Sequence, residues 1–556
     1  MKETRPSDLT YQEKMIQGSA WLSVGNIFSR LLGAIYIIPW YAWMGENARA
    51  ANGLFNMGYT FYALFMMIST AGLPGAIAKQ IARYNSMGEY RTSRRLFIKA
   101  LQATAILGIF FGGLMFFTAP LLAGLSGGGR ALIPVIQALS IAVIAFPCMS
   151  VLRGYFQGQQ DMRPSAVSQL VEQALRVLYM LLSVFIIMKV MKGDYLNAVI
   201  QSTFAASVGM IGSYGVLLFY WFKDRKKSDL QIGRSLDKVT IDTKKLLFET
   251  VRQAIPFILL GGGITFYKLI DQVTFIHTMN ANTNYSHDQL VDLYALFSAN
   301  PDKLTMVVVA LGTSLALTSL PMLTELFTQR RRPELAKLVN TNIQLFAFIM
   351  LPAVFGMILL AYPLNTVFYS ADVLGSRVLV AACWAGLVSA LFMMLSTTLQ
   401  GISHSRVAVK YWLAGLLLKA IIQVPLIELL EVYGPLAATF IGLSLTCGLC
   451  LWKLRRVVHA NYQLAFRRCV LILILTLVML IVAVIVRQMS YLVFDPASRL
   501  SALAICLLTA GVGGLVYFYL SLKIRLVDKL VGPQARKWRR PVSYTHLRAH
   551  ETRRHL

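Results

Sequence analysis

The residues with the clearest chemistry are charged side chains placed deep inside apolar segments. Arg30 lies near the middle of GNIFSRLLGAIYIIPW (Gly25–Trp40), within a run that has no other charge between Lys14 and Glu46. A charge at the centre of a membrane-spanning helix costs about 2.5–3.5 kcal/mol, so such residues usually face a polar cavity. Asn26 precedes Arg30 by one helical turn and shares its face. Arginine pairs well with phosphate oxygens, so this face favours a phosphorylated ligand; the alternative is a pair with another helix or a lipid headgroup.

Other apolar segments also carry charged residues at helical spacing. The segment GGGITFYKLIDQVTF places Lys268 and Asp271 at positions i and i+3, where they either line a cavity or neutralise each other. Arg176 follows Glu172 by four residues, inside the membrane or at its interface, and Lys419 either lines the cavity or pairs with a neighbour. The net sign is positive, which favours an anionic substrate and most of all phosphate or pyrophosphate. The predicted substrate-binding residues are Arg30, Asn26, Lys268, Asp271, Arg176 and Lys419.

Membrane-spanning helices must position these side chains. The 556-residue chain is 56% hydrophobic and only 14% charged, whereas about a quarter of the residues of a soluble domain are charged. The mean hydropathy is +0.60. Apolar runs long enough to span a membrane recur about fourteen times, so we predict an all-α polytopic membrane protein. The runs lie near residues 18–44, 52–78, 96–123, 131–156, 167–190, 196–222, 247–279, 303–328, 335–361, 376–402, 407–430, 434–457, 468–489 and 499–523.

The loops alternate in charge, which predicts an orientation. The formal net charge is +28, and the basic residues crowd into loops after the second, sixth, eighth and twelfth segments. The opposite loops hold acidic residues, such as Asp288, Asp292 and Asp302 in a predicted loop at 280–302. The positive-inside rule then places both termini in the cytoplasm of a cell whose plasma membrane holds the protein. Nucleic-acid binding is not predicted, because the chain has no aromatic-and-basic sheet or finger pattern.

The two halves of the chain resemble each other, which predicts an internal repeat. The segment Ser69–Ala100 echoes Thr313–Phe346, and Phe156–Arg176 echoes Leu399–Lys419. Two six-helix repeats would form two lobes that bind substrate between them near the middle of the membrane. The predicted parts are a cytoplasmic N-terminus (1–17), an N-lobe (18–222), a cytoplasmic linker (223–246), a C-lobe (247–457) and two further helices (466–531).

Proline and glycine predict a hinge in the seventh segment. Pro256 is followed by Gly261, Gly262 and Gly263, just before Lys268. Proline and glycine together let a helix bend, so we expect the lobes to rock at this point.

The sequence predicts a transporter rather than an enzyme. It contains no phosphate-binding loop motif, and its longest predicted loops have about twenty residues, so an ATP-driven pump would need a partner as its motor. No cofactor is predicted and the sequence does not identify a coupling ion. Cys447 and Cys450 form a C-x-x-C pair in apolar surroundings, which fits core packing better than a metal site. No cleavable signal peptide is expected. The tail Pro541–Leu556 resembles translated adapter sequence, or else an ordinary basic tail.

Several segments resemble a known family. The arginine in NIFSRLLGAIYIIP, the segment AGLPGAIAKQIARY and the segment LRGYFQGQQDMRPSAVSQLVEQALR are similar to the polysaccharide-biosynthesis branch of the multidrug/oligosaccharidyl-lipid/polysaccharide exporter superfamily. Within that branch the chain resembles the YtgP/MurJ type of lipid II flippase from Gram-positive bacteria, over nearly all of Met15–Val531.

The resemblance implies a function and a set of partners. It implies that a lipid-linked peptidoglycan precursor with a pyrophosphate group moves from the inner to the outer leaflet. Because the interior is negative, we expect the membrane potential to aid the outward movement of this anionic group. Membrane lipids and cell-wall synthases would be further partners. The cavity arginine of the family maps onto Arg30, and the second-lobe role falls to Lys268. The charges that other members carry on the second helix cannot be transferred, because Asn52–Ala78 is uncharged until Lys79.

Two other transport functions stay open. An exporter of teichoic or capsular lipid-linked sugars would use the same cationic cavity. A cation-coupled multidrug antiporter would call for buried carboxylates, and the sequence offers only Asp271 as a deep candidate.

Overall fold

The computed structural model describes residues 32–33, 35–70, 73–233, 235, 255–458 and 462–531. The described chain is helical almost throughout, and it contains no β-strand. Two of the predicted binding residues, Arg30 and Asn26, lie outside these ranges, as do most of the predicted linker and the tail Pro541–Leu556.

The helices follow the apolar runs of the sequence. In the first part of the chain they are α1 (Ile37–Met44), α2 (Ala48–Thr70), α3 (Leu73–Ser86), α4 (Tyr90–Phe117), α5 (Ala119–Leu125), α6 (Leu132–Gly158), α7 (Arg163–Phe185) and α8 (Tyr195–Gly233). In the second part they are α9 (Gly263–Asn282), α10 (His287–Tyr294), α11 (Asn300–Thr328), α12 (Arg332–Leu359), α13 (Ala361–Phe368), α14 (Val373–Gly401), α15 (Ser405–Leu430), α16 (Gly434–Val458), α17 (Tyr462–Val493), α18 (Arg499–Lys523) and α19 (Leu526–Val531). Short 3₁₀ segments occur at Gly45–Asn47 and Glu431–Tyr433, and π-helical segments at Ile186–Val190 and Ala295–Ala299.

The predicted fold class is confirmed. Eleven helical stretches of the described residues are long and apolar enough to cross a membrane. One of them, Ser405–Val458, holds two of the predicted segments in 54 residues. The protein is therefore an all-α polytopic membrane protein, whereas the number of fourteen crossings stays a prediction.

The predicted loop at 280–302 is wrong over most of its length. Helix α10 begins there, because Ser286 and Gln289 form a capping box that satisfies the free backbone groups at the helix start. The chain then passes through the π-helical segment Ala295–Ala299 directly into α11. Asp302 therefore belongs to the first turn of a long apolar helix rather than to a loop.

The predicted hinge region contains a break in the helix. Residues 255–261 are helical, Gly262 has φ −91° and ψ 6°, and α9 begins at Gly263. A Cβ atom on Gly262 would lie 1.9 Å from Sδ of Met67 in α2, so a larger residue here would displace the flexible methionine side chain. Bending at this break stays a prediction.

The contacts group the chain into two compact units. One unit contains residues 1–310 and 405–446, and the other contains residues 311–404 and 447–556. Within the first unit, α4 packs tightly on α6, where a Cβ on Gly108 would lie 2.3 Å from the carbonyl oxygen of Ile144. In the second unit, α17 and α18 pack against α12, and Tyr517 donates a hydrogen bond to the carbonyl of Phe348. The units do not coincide with the two predicted lobes, so the lobe boundaries stay a prediction.

One pair of turns supports the proposed internal match. Gln160 and Ser403 each lie three residues after the matched glutamines Gln157 and Gln400. Both adopt left-handed backbone conformations, with φ of 64° and 61°, although neither is glycine. The same unusual turn therefore follows the same sequence signal in both halves.

Candidate functional site

Lys268 has a different partner from the one that its spacing suggests. Its Nζ lies 2.6 Å from Oδ1 of Asp302 in α11, and the two side chains are 26% and 23% exposed. The suggested pair between Lys268 and Asp271 is therefore not the ion pair that forms. Helical spacing brings two residues to one face, but a carboxylate from a neighbouring helix approaches Lys268 more closely.

Asp271 belongs to a separate, more deeply buried cluster. Lys419 in α15 is 0% exposed, and its Nζ lies 2.6 Å from Oδ1 of Asp271 and 2.5 Å from Oγ1 of Thr439 in α16. Gln423, one turn after Lys419, donates its Nε2 hydrogen to the same carboxylate oxygen at 2.8 Å. The cluster joins α9, α15 and α16 inside the first unit. Because each charge is met by an opposite charge, the cluster has the form of a structural ion pair.

Arg176 is not paired with Glu172. Glu172 accepts a hydrogen bond from Nη2 of Arg153 in α6 at 2.6 Å. Arg153 is also bonded to Ser168 and Ser213, at 2.9 and 2.8 Å, so it joins α6, α7 and α8. Arg176 instead donates a hydrogen bond to the side-chain oxygen of Gln173. The described residues give Arg176 no ion pair.

Lys303 is a functional candidate that sequence reasoning missed. It lies in the first turn of α11, directly after Asp302, and its Nζ donates to the hydroxyl of Tyr36 at 3.1 Å. The same ammonium lies 5.6 Å from the ring centroid of Tyr36 and 5.2 Å from that of Phe55, which are cation–π distances. No carboxylate of the described residues forms an ion pair with it. The only signal in the sequence is a lysine that opens the apolar run KLTMVVVALG.

Arg176 and Lys303 lie near the same two tyrosines. Both side chains are close enough to Tyr36 and Tyr59 to interact electrostatically with them, and Arg176 is also close to Tyr62. Each cation also feels a carboxylate that is ion-paired elsewhere, Glu172 for Arg176 and Asp302 for Lys303. Tyr59 stacks on Phe55 with the ring centroids 4.5 Å apart. Two cations therefore share an aromatic surround that offers hydroxyl groups. Such a surround can bind an anion and can stack against its apolar parts.

The charge balance separates structural from candidate binding residues. Lys268, Lys419 and Arg153 each pair with an acidic residue, whereas Arg176 and Lys303 hydrogen-bond to neutral groups and form no ion pair among the described residues. The binding roles of all six predicted residues stay predictions, including those of Arg30 and Asn26.

Polar contacts join α2 to the segment around the second π-helix, within the first unit. Asn52 Nδ2 donates to Oδ1 of Asn300 at 2.7 Å, and Asn56 Nδ2 donates to Oγ of Ser298 at 2.9 Å. Gln272 in α9 donates to the carbonyl of Met57 at 3.1 Å. These bonds hold α2 against α9 and α11 on the side of the chain where the segment 280–302 lies. A π-helix at such a contact is typical of functional sites.

Together, the fold and these charges define a polytopic, all-helical membrane protein in which Arg176 and Lys303 form no ion pair among the described residues. The family comparison agrees with this class. The chain belongs to the polysaccharide biosynthesis protein family, whose model matches residues 15–327.

Relatives from Bacillus subtilis (strain 168) extend the match over nearly the whole chain. The chain is 33% identical to a protein named Lipid II flippase MurJ over 534 residues, which cover 93% of this chain and 97% of the relative. It is 25% identical to an uncharacterized membrane protein, YabM, over 91% of this chain and 92% of that protein. The protein is therefore a multi-pass bacterial membrane protein of this family.

Solved structures share the fold. A lipid II flippase MurJ in an inward closed conformation matches with a TM-score of 0.62 at 14% identity, over 91% of this chain and 98% of that one. A multidrug resistance MATE family transporter of the MOP superfamily, in an inward-facing conformation, matches with a TM-score of 0.59 at 15% identity, over 77% and 94% of the two chains. At sequence identities of 14% and 15%, these structural matches establish a shared fold but not a shared function.

Proposed function

We propose that this protein is a flippase that moves lipid II, a peptidoglycan precursor linked to undecaprenyl pyrophosphate, from the inner to the outer leaflet. Its strongest support from the comparisons is the 33% identity to the Bacillus subtilis lipid II flippase over 93% of the chain. The proposal includes both termini in the cytoplasm, as the basic loops indicate.

The observation that carries the proposal is the pair of cations, Arg176 and Lys303, that form no ion pair among the described residues and lie beside Tyr36 and Tyr59. Arginine and lysine are the side chains that proteins use for pyrophosphate, arginine as a fork and lysine as a point charge. Arg30, six residues before Tyr36 in the sequence and outside the described residues, would supply a third cation. Lys268 is neutralised by Asp302, so Lys303 is a better candidate for the role that the sequence gave to Lys268.

The bonds from α2 to Asn300 and Ser298 suggest which side is closed. With cytoplasmic termini, the segment 280–302 lies on the outer side, so these bonds would close the outer entrance. Alternating access would then require their rupture before release into the outer leaflet.

The membrane potential provides a driving force without ATP. Each charge that crosses the whole field is worth about 2.3 kcal/mol per 100 mV. A pyrophosphate bound to these cations would be nearly neutral in transit, whereas the empty carrier would be cationic and drawn back towards the negative inside. We expect depolarisation to slow this return more than it weakens substrate binding. Unchanged turnover in depolarised vesicles would contradict that view.

Two alternatives receive less support. An exporter of teichoic or capsular lipid-linked sugars would use the same cations, so only the substrate distinguishes it. A cation-coupled multidrug antiporter would need a carboxylate that is free to bind an ion. The carboxylates of Asp271, Asp302 and Glu172 are each paired with a basic side chain.

Complementation tests the proposal directly. A strain depleted of its own lipid II flippase would receive the wild type, Arg30→Ala, Arg176→Gln or Lys303→Met. Lys410→Met serves as the control, because Lys410 is an exposed lysine outside the site. We expect the wild type and the control to restore growth and the three site variants to fail while still reaching the membrane. Growth with Lys303→Met and Arg176→Gln would remove both residues from the mechanism.

Vesicles distinguish the substrates. Purified protein would be reconstituted with fluorescent lipid II or with an undecaprenyl-linked teichoic precursor, and quenching from outside would report translocation. Faster translocation of the teichoic precursor would favour the alternative exporter. Cell-wall synthases remain an expected partner, which copurification from membranes would test.

A further inference from the structure

A second cationic site lies outside the proposed substrate path, in the second unit. A cavity of about 710 Å³ opens at the ends of α11, α14 and α16. Its floor is apolar and is made by Leu326, Phe327, Leu335 and Val457. Its rim carries Arg330, Arg332 and His404. A cavity with apolar residues at its base and basic residues at its opening is suited to bind an amphipathic anion.

The rim is built by two turns with unusual backbones. Arg330, with φ 57°, and Ser403, with φ 61°, both adopt the left-handed conformation, which side chains other than glycine rarely take. Nδ1 of His404 donates to the carbonyl of Ile402 at 2.8 Å, which fixes the ring and leaves Nε2 without a protein partner among the described residues. The turns therefore hold the basic groups around one opening.

Two neighbouring arginines are engaged elsewhere. Arg331 forms an ion pair with Glu334, and Arg456 at the end of α16 stacks on Trp452 at 3.9 Å. Arg330 and Arg332 have no ion pair within the described chain and are exposed at the cavity. Both guanidinium groups that line the cavity can therefore bind an anion.

We propose that this cavity binds the headgroup of an anionic phospholipid of the cytoplasmic leaflet. The location rests on the proposed orientation, because the basic segment 330–337, at the start of α12, marks the cytoplasmic side. The lipid phosphate would lie between Arg330 and Arg332, and the first methylene groups of the acyl chains would contact Leu326, Phe327, Leu335 and Val457. Charge complementarity favours this occupant, since anionic headgroups concentrate beside basic loops at that surface.

Native mass spectrometry of the purified full-length protein tests the site. The protein would be released from detergent micelles that contain phosphatidylglycerol or, separately, phosphatidylcholine. We expect wild type to retain one phosphatidylglycerol more than the double variant Arg330→Gln/Arg332→Gln, with retention about tenfold weaker for each arginine lost. Phosphatidylcholine should show no difference between the proteins.

The matched control is Arg331→Gln/Lys337→Gln, which removes the same number of charges from the same basic segment but changes no residue that lines the cavity. It should bind lipid as the wild type does. Equal loss in the control, or equal retention in the cavity variant, would overturn the proposal. A stabilisation of wild type by millimolar glycerol phosphate that matches the effect of phosphatidylglycerol would also overturn it, by assigning the site to a soluble anion. Lipid II translocation, measured separately, distinguishes failure here from failure of the proposed function.

Discussion

Replacing Lys419 with Met would remove an ammonium group from one of the most buried charged positions of the protein. Lys419 is 0% exposed, and its Nζ contacts Asp271 at 2.6 Å and Thr439 at 2.5 Å. Methionine keeps most of the apolar side chain. Asp271 is only 8% exposed. In the variant, its carboxylate would keep a single side-chain hydrogen bond of those named here, from Nε2 of Gln423.

The expected cost follows from this burial. Breaking a buried ion pair by removing one partner costs about 3–5 kcal/mol. Without Lys419, the buried carboxylate of Asp271 could take up a proton and become neutral. Protonating an ordinary aspartic acid at pH 7 costs about 4 kcal/mol, so the cost of leaving this carboxylate unpaired should not exceed that value. We therefore expect Lys419→Met to lose about 3–4 kcal/mol of stability. The double variant Lys419→Met/Asp271→Asn has no unpaired charge and should come within about 2 kcal/mol of the wild type.

Thermal unfolding in detergent, followed with a thiol-reactive dye, measures this effect. The dye suits the protein because Cys383, Cys447, Cys450 and Cys506 are buried and free. Lys410→Met removes an exposed lysine from the same helix and is the control. The reasoning fails if Lys419→Met melts with the wild type. It also fails if the double variant is no more stable than the single one, since the two charges would then not be coupled.

Three further predictions concern packing and movement. The double variant Asn56→Cys/Ser298→Cys should form a disulfide that stops translocation until a reductant is added. The control Thr104→Cys should form a disulfide with the native Cys148 without stopping translocation. Translocation in vesicles, with and without reductant, measures both effects. Gly415→Ala should destabilise the protein by about 1–3 kcal/mol, because its Cβ would lie 2.3 Å from the carbonyl oxygen of Gly442. A Cβ on Gly448 would meet no atom within 4 Å, so Gly448→Ala should leave the stability unchanged. The melting temperatures of the two variants measure the difference. Arg153→Leu should cost about 3 kcal/mol by leaving Glu172 without its ion pair, and Arg163→Leu, at an exposed position, should cost little in the same melting assay.

The fold class was readable from the sequence because apolar runs of spanning length leave few other solutions. The partners of the interior charges were not readable in the same way. Lys268 and Asp271 share a helix, and spacing along one helix says nothing about which neighbouring helix approaches it. The acid that binds Lys268 is Asp302, in a segment whose polar residues suggested a loop.

Lys303 shows a second reason why the site was incomplete. Pro301, Asp302 and Lys303 together have the composition of a loop end, so the lysine gave no sign of being inside the protein. Only the capping box at Ser286 and the continuous helix beyond it place Lys303 beside Tyr36. The left-handed turns at Gln160 and Ser403, in contrast, follow a sequence match that was visible in advance.

The pairing pattern gives the remaining cations a double role in the proposed mechanism. Three ion pairs, those of Arg153, Lys268 and Lys419, carry no net charge into the interior. Among the described residues of that interior, the charge left over belongs to Arg176 and Lys303, which are the groups placed to receive a pyrophosphate. The membrane potential acts on net charge, at about 2.3 kcal/mol per charge and 100 mV, so it acts mainly on the empty carrier. Neutralising either residue should therefore weaken anion binding and reduce the voltage dependence of the return step together, whereas an effect on binding alone would mean that these charges do not move through the field.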